Sequence, residues 1–444
     1  MADLKQLARL IFRETLAAID IPAVMERKLC IEGSTLRCGG ATLYGGDLAI
    51  DLRRFSRIRV VAIGKAAHAM LDGLRAILPP EAEFEGVASA PTPPERSLPG
   101  IRYFVGGHPI PNAESWEAAK EILALLADSD ERTLVFFLIS GGGSALVELP
   151  LDRRLTLRDV QQFYRTLVTC GAPIAAMNAV RKHVSAVKGG RLAAMAARAT
   201  KITLAVTDVP ADQEAALASG PSLPDPSTTA DFERIVSEFK MLPQFPEALR
   251  RCIEEGKISE TPKEGDPAFA NAHFVLLMGT DDLFHPAHFV SEAKGFFTCC
   301  DNSTDDWPVE KAAAYLLAQL DTLQAAYPSQ RVALIADGEV SSPVTGDGIG
   351  GRNSAFVLAC VPNIAGRRVA VLSAGTDGID GNSSAAGAVA DGETMARAMA
   401  AGLNPEDAFR RSDAFSFFAG LDDVVVTGPT GNNLRDLRIL LSEP

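Results

Sequence analysis

Short runs of Val, Ile, Leu and Phe recur along the chain at 58–63, 134–139, 202–206, 274–278, 332–335, 369–372 and 424–426, several of them apolar throughout. Runs of that kind belong to strands buried on both faces, as in a parallel sheet covered by helices. Between them the apolar positions repeat at helical spacing. Trp116, Ala119, Ile122, Leu123 and Leu126 form one stripe, and Val160, Phe163, Tyr164, Leu167 and Val168 a second, with Thr156 and Asp159 as a capping box at its start. Phe232, Ile235, Val236 and Phe239 form a third, and Leu4, Leu7 and Ile11 an amphipathic N-terminal helix. Strand alternating with helix over the whole length predicts an α/β architecture.

The chain of 444 residues is too long for one compact layer, and with the strand and helix pattern it predicts two α/β/α sandwich domains with largely parallel sheets, the N-terminal one Rossmann-like, with a cleft available between them. A stretch at 241–266, rich in Pro, Glu and Lys, marks the boundary, giving domains at 1–245 and 246–444. A net charge of −13 argues against nucleic-acid binding, so basic groups at a site would form a local positive pocket on an acidic body. No apolar run approaches the roughly 18 residues of a membrane span. Seven cysteines without C-x-x-C spacing give neither a disulfide framework nor a zinc site, and fit a reducing cytoplasm. His285 and His288 read better as solvated loop histidines than as metal ligands.

Glycine-rich turns follow the apolar runs and carry ionisable or hydroxyl side chains. They include Gly64-Lys65-Ala66, the sequence Ser140, Gly141, Gly142, Gly143, Ser144, then Lys188-Gly189-Gly190-Arg191, Gly350-Gly351-Arg352-Asn353 and Gly375-Thr376-Asp377-Gly378. Glycines after buried strands let backbone N–H groups approach an anion closely. The Ser140–Ser144 turn reads either as a phosphate cradle or as a tight strand-to-helix turn. It is not a P-loop, since G-x-x-x-x-G-K-[ST] is absent, nor a hydrolase elbow. Lys65 sits at a strand's carboxyl end, where ligands of α/β proteins collect, and Asp208 and Asp377 at strand ends suit Mg²⁺ binding or proton acceptance, with Glu339 a weaker candidate of the same type. Gly346, Gly348 and Gly351 satisfy G-x-G-x-x-G, the chief argument for a dinucleotide-dependent reductase, but no ribose-binding acid follows at the usual spacing.

The combination resembles the glycerate 2-kinase family. It comprises Gly64-Lys65-Ala66, Gly107-His108-Pro109, the Ser140 to Leu146 turn, Met177-Asn178-Ala179-Val180-Arg181-Lys182-His183, Lys188-Gly189-Gly190-Arg191, Asp208-Val209-Pro210, Ser219-Gly220-Pro221, Gly350-Gly351-Arg352-Asn353, Gly375-Thr376-Asp377-Gly378 and Thr427-Gly428-Pro429-Thr430-Gly431, in order over nearly the whole chain. That family joins an N-terminal DUF4147 domain to a C-terminal MOFRL domain, here at about 330–440. The resemblance implies phosphorylation of D-glycerate at its 2-hydroxyl with ATP and Mg²⁺, with the active site in the cleft between the two domains, and roles for Lys65 and Arg352. Some members carry the label hydroxypyruvate reductase, so an NAD(P)H-dependent reductase stands as the alternative. The chain departs from the usual pattern at Ala211-Asp212-Gln213, at Gly381-Asn382-Ser383-Ser384, at Ser341 and at Asn432, changes that remove carboxylates near the expected metal and substrate site.

On this reading the Ser140–Ser144 turn, together with Lys188, holds the nucleotide phosphates; Lys65, Arg181 and Arg352 hold the substrate; and Asp208, Asp377 and Glu339 face the metal. Lys65, Arg352, Asp208 and Asp377 would carry catalysis. Replacing Lys65 or Arg352 by Ala is expected to lower kcat with little loss of stability. Expected partners are glycerate and a nucleotide, with no nucleic acid or membrane, and a homodimer is left open.

Overall fold

The computed structural model describes residues 3–39, 48–207 and 214–444, and these form two compact units: residues 21–279, and residues 280–444 together with the N-terminal segment up to Asp20. The division falls at Gly279 and Thr280, beyond the proline-rich stretch expected to separate the domains. The reason is a last strand, Ala272–Met278, that pairs with the sheet of the first unit and keeps residues 241–279 there.

In the first unit, a small antiparallel sheet is formed by β1 (Leu29–Glu32), β2 (Thr35–Cys38) and β3 (Leu48–Asp51). The main sheet has six strands: β4 (Arg57–Ile63), β5 (Glu85–Ala90), β6 (Ile101–Val105), β7 (Thr133–Ser140), β8 (Thr200–Val206) and β9 (Ala272–Met278). Their spatial order is β6-β5-β4-β7-β8-β9, and every pair is parallel. The chain steps outward from β4 to β6 and then returns to the other side of β4 as β7. This is the doubly wound order of a Rossmann fold, and it opens a crevice at the carboxyl ends of β4 and β7. All eight residues of β7 are buried, as its unbroken apolar sequence requires of a strand covered on both faces. Val61, Ile63, Val135, Phe137 and Ile139 pack on one face against Ala118, Ile122 and Leu126 of helix Ala113–Leu126. The capping box of Thr156 and Asp159 forms as expected, at the start of helix Leu157–Thr169.

The second unit holds a six-stranded sheet of β10 (Phe297–Cys300), β11 (Val332–Asp337), β12 (Val369–Gly375), β13 (Gly387–Asp391), β14 (Val424–Val425) and β15 (Asp436–Ser442), in the order β10-β11-β15-β12-β13-β14. Here the expectation of a largely parallel sheet is corrected. Only β10–β11 is parallel among the described pairs; β15 runs antiparallel between β11 and β12, and β13 and β14 extend the sheet antiparallel. β11 and β12 therefore point the same way, joined through helix Arg352–Ile364, and the last strand of the chain fills the gap between them. Among the described residues no helix is long and apolar enough to cross a membrane.

Candidate active site

In the first unit the turns after β4 and β7 lie side by side at the crevice that the strand order creates. The N–H of Lys65 donates to the Gly141 carbonyl at 3.0 Å, and that of Ala66 to the Ser140 hydroxyl at 3.0 Å. Gly64, at φ +131°, lies so close to Ser140 that a Cβ there would come within 2.6 Å of the Ser140 carbonyl oxygen, so only glycine lets the two turns meet. Gly142 is at φ +80°, and a Cβ on it would meet Lys65 Cγ at 3.2 Å and the His108 ring at 3.5 Å. The missing side chain thus lets Lys65 and His108 lie directly against the loop backbone, which brings a cation and an imidazole to the turn after β7. Of the expected site residues, Lys65, read as a substrate and catalytic group, and the Ser140–Ser144 turn, read as the phosphate cradle, are brought together, and His108 joins them.

Lys188 is elsewhere. Its side chain is buried beneath the turn, with Nζ 2.9 Å from Glu148 Oε2 and donating to the Val147 carbonyl at 2.9 Å. Burial pushes its pKa down and Glu148 pulls it back up. The contact with nucleotide phosphates expected from the sequence has no counterpart in these bonds: the buried ammonium is engaged by Glu148 and the Val147 carbonyl. Arg181 is likewise buried. It donates to Asn178 Oδ1 at 3.0 Å, and its guanidinium lies 5.1 Å over the Tyr164 ring. Asn178 Oδ1 also accepts from Ser219 Oγ at 3.1 Å, and Ser219 Oγ lies 2.8 Å from Ser144 Oγ, which makes Arg181 a second support of the same turn.

In the second unit, Arg352 opens helix Arg352–Ile364 and reaches two carboxylates, Asp436 Oδ2 and Glu339 Oε2, each at 2.5 Å. Burial works against its charge, and Asp436 and then Glu339 outweigh that, so its pKa lies above the ordinary arginine value. Gly375 places Asp377 next to this group, since a Cβ there would lie 3.1 Å from Asp377 Oδ1 and 3.3 Å from Asp436 Oδ1. Asp377 Oδ1 accepts the Ile379 N–H at 3.0 Å. Arg352, Glu339 and Asp377 thus lie together around an acid, Asp436, that the sequence reading missed. Asp436 opens the segment Leu437, Arg438, Ile439, Leu440 and Leu441, and two charges spaced two apart at the head of an otherwise apolar segment are the signal that could have found it.

Beside this group, Arg435 donates to Asp305 Oδ2 at 2.7 Å and stands 3.9 Å from Asp337 Oδ1, while the fully buried Arg438 donates to the carbonyls of Asp337 and Gly338. Burial raises the Asp337 carboxyl to about 6, and neither of its oxygens has a hydrogen-bond partner among the described residues. Asp208, with Ala211 and Gln213, lies outside the described residues. Among the described residues, which leave out Asp208, no three His, Cys, Asp or Glu side chains are grouped to hold a metal ion. His285 and His288 lie on helix Asp281–Ala293, not in a loop.

The G-x-G-x-x-G stretch has a different use. Asp380 is buried and accepts from the N–H groups of Asn353 and Ser354, each at 2.9 Å, and from Ser354 Oγ at 2.6 Å. It fills the N-terminus of the helix where a dinucleotide's pyrophosphate would have to sit. Burial holds its pKa up despite those donors. Gly348 faces Asp413 and Gly351 faces Asp380 and Gly381, so these glycines admit protein, not ligand.

Family models match most of the chain: one described as a domain of unknown function, DUF4147, over residues 7–254, and one described as the MOFRL family over 332–436. D-glycerate 2-kinase of Thermotoga maritima is 32% identical over 386 residues, covering 86% of this chain and 90% of its own. A putative hydroxypyruvate reductase of Agrobacterium vitis is 33% identical over 395 residues, covering 87% of each. The crystal structure of glycerate kinase from Thermotoga maritima matches with a TM-score of 0.82 at 29% identity, covering 99% of each chain.

Proposed function

The chain belongs to the glycerate 2-kinase family, whose DUF4147 and MOFRL segments it carries in order, and from that premise we propose that it phosphorylates D-glycerate at the 2-hydroxyl with ATP. The glycerate hydroxyl oxygen attacks the γ-phosphorus, the bond from that phosphorus to the β–γ bridging oxygen breaks, and 2-phosphoglycerate and ADP result. The observation that carries this reading is the close approach of Lys65 and His108 to the Gly142 backbone at the topological switch point of a Rossmann sheet.

Lys65 and the backbone of the Ser140–Ser144 turn take the phosphates. Such chemistry is mostly positioning and charge neutralisation, which fixed N–H groups and a lysine supply. Arg352 neutralises charge on the transferring group or the substrate carboxylate. It is held on one side by Asp436, which is buried, and on the other by Glu339, whose side chain is 43% exposed, so an arriving anion displaces Glu339. Asp377, at the same cluster, accepts the hydroxyl proton. Mg²⁺ would enter with the nucleotide, since an ion of that size commonly takes one or two protein carboxylates besides phosphate oxygens, and Asp377 and Glu339 are the described carboxylates offered for it. The reductase alternative loses its main support, because Asp380 occupies the helix terminus that a dinucleotide needs.

The purified protein, given D-glycerate, MgATP and a coupled ADP assay, should form ADP, with 2-phosphoglycerate identified by ³¹P NMR. NADH oxidation with hydroxypyruvate and no ADP formation from glycerate would overturn the proposal.

A further inference from the structure

The turn that meets the phosphates is followed by a helix of one turn, Gly143–Leu146. So short a helix cannot satisfy its own carbonyls, and isolated it has no stability to speak of. Side chains do this instead. The Tyr164 hydroxyl lies 2.7 Å from the Ser144 carbonyl oxygen and shares its one proton between that oxygen and Glu148, while the Leu146 carbonyl accepts from Ser89 Oγ at 2.7 Å and the Val147 carbonyl from Lys188 Nζ at 2.9 Å. Glu148 then joins two of the three donors, its Oε2 lying 2.5 Å from the Tyr164 hydroxyl and 2.9 Å from Lys188 Nζ.

This arrangement costs more than packing needs. Glu148 and Lys188 are almost wholly buried, and Glu148 Oε1 has no hydrogen-bond partner among the described residues. A buried ion pair with an unused acceptor is commonly no more stable than apolar residues of the same shape, so its worth lies in fixing one geometry. Both donors end on carbonyls of the segment directly behind the Ser140–Ser144 turn. We propose that Tyr164, Glu148 and Lys188 are positioning residues for the phosphoryl donor: they lock the carbonyl side of the turn from below so that its N–H side meets ATP in one fixed form. The inference rests on the reading that this turn holds the ATP phosphates, and deepens it by naming what holds the turn.

Tyr164→Phe removes one hydroxyl and keeps the ring. It should raise the KM for ATP, and the dissociation constant of a non-hydrolysable ATP analogue, about three- to tenfold, with KM for D-glycerate moved less than about twofold. Both are measured well below the unfolding temperature, where a merely structural contact would leave ATP affinity unchanged. Glu148→Gln keeps the volume and one acceptor; it should shift ATP affinity in the same direction, and it is read in the same way should Tyr164→Phe prove insoluble. Lys65→Ala and Gly142→Ala serve as the reference. Weaker ATP binding in those two, with wild-type affinity in Tyr164→Phe and Glu148→Gln, would sink the positioning role alone. Unchanged ATP binding in all four variants would instead remove the turn from nucleotide binding.

Discussion

Arg352 is gripped by two carboxylates of unequal exposure, and that inequality decides what its loss does. Sequence reasoning treats Arg352 as a solvent-facing turn residue whose removal spares stability. In the fold, its removal leaves Asp436, only 5% exposed, as a buried carboxylate without its cation. Arg352→Ala should therefore cost about 1–3 kcal/mol of stability as well as most of the activity. Lys65 stands differently, half-buried with its stem against the Gly142 backbone, so Lys65→Ala should lower kcat/KM by about 10²–10³-fold with stability kept to within about 1 kcal/mol. Denaturant unfolding and steady-state kinetics on the two variants would separate these outcomes. Equal stability losses would mean that the ion pairs of Arg352 are not structural.

At the scale of elements, what could be read from the chain depended on whether burial shows as an apolar run. β7 is apolar at nearly every position and was legible at once, as were β4, β8 and β11. β5 is built from Gly, Ala and Ser, and β15 carries Asp436 and Arg438, so neither shows such a run, although both are buried. Arg438 is tolerated inside because its guanidinium donates to the carbonyls that end β11 and lies 5.4 Å over Phe356, although burial still lowers its pKa. Missing β15 hid the antiparallel core of the second sheet, and with it Asp436. The same element explains a pH effect. Asp337 at the end of β11 is raised from 3.8 to about 6, mainly by burial, against the pull of Arg435 and Arg438. The folded state thus keeps a proton that the unfolded chain releases. The stability this gives is full below about pH 3.8 and is lost as pH rises through about 6. Asp337→Asn cannot ionise, so it should gain on the wild type by about 1–2 kcal/mol between about pH 5 and pH 8. Chemical unfolding at both pH values would test this, and a gap that stays constant or shrinks with rising pH would refute it.

For the whole molecule, the compact units and the family segments do not coincide, and the N-terminal helix is where they part. The DUF4147 match begins at residue 7, inside helix Leu4–Ala18, yet that helix belongs to the unit of residues 280–444. Its buried face is Leu7, Ala8, Ile11, Phe12 and Thr15. At its polar edge Lys5 reaches Asp423 at 3.1 Å, Arg9 donates to the Val424 carbonyl at 2.8 Å, and Glu14 pairs with Lys294 at 2.6 Å. The sequence reveals that the segment is amphipathic, but a helical stripe does not say which core it covers. Burying three large apolar side chains is worth roughly 5–8 kcal/mol, so the second unit depends on a segment made some 260 residues before it. Phe12→Ala should cost about 3–5 kcal/mol, and that cost should fall on one unit. Under limited proteolysis the variant should be cut first within 280–444 while 21–279 persists, and mass spectrometry of the fragments reads this directly. Earlier cleavage within 21–279 would assign the helix to the other core.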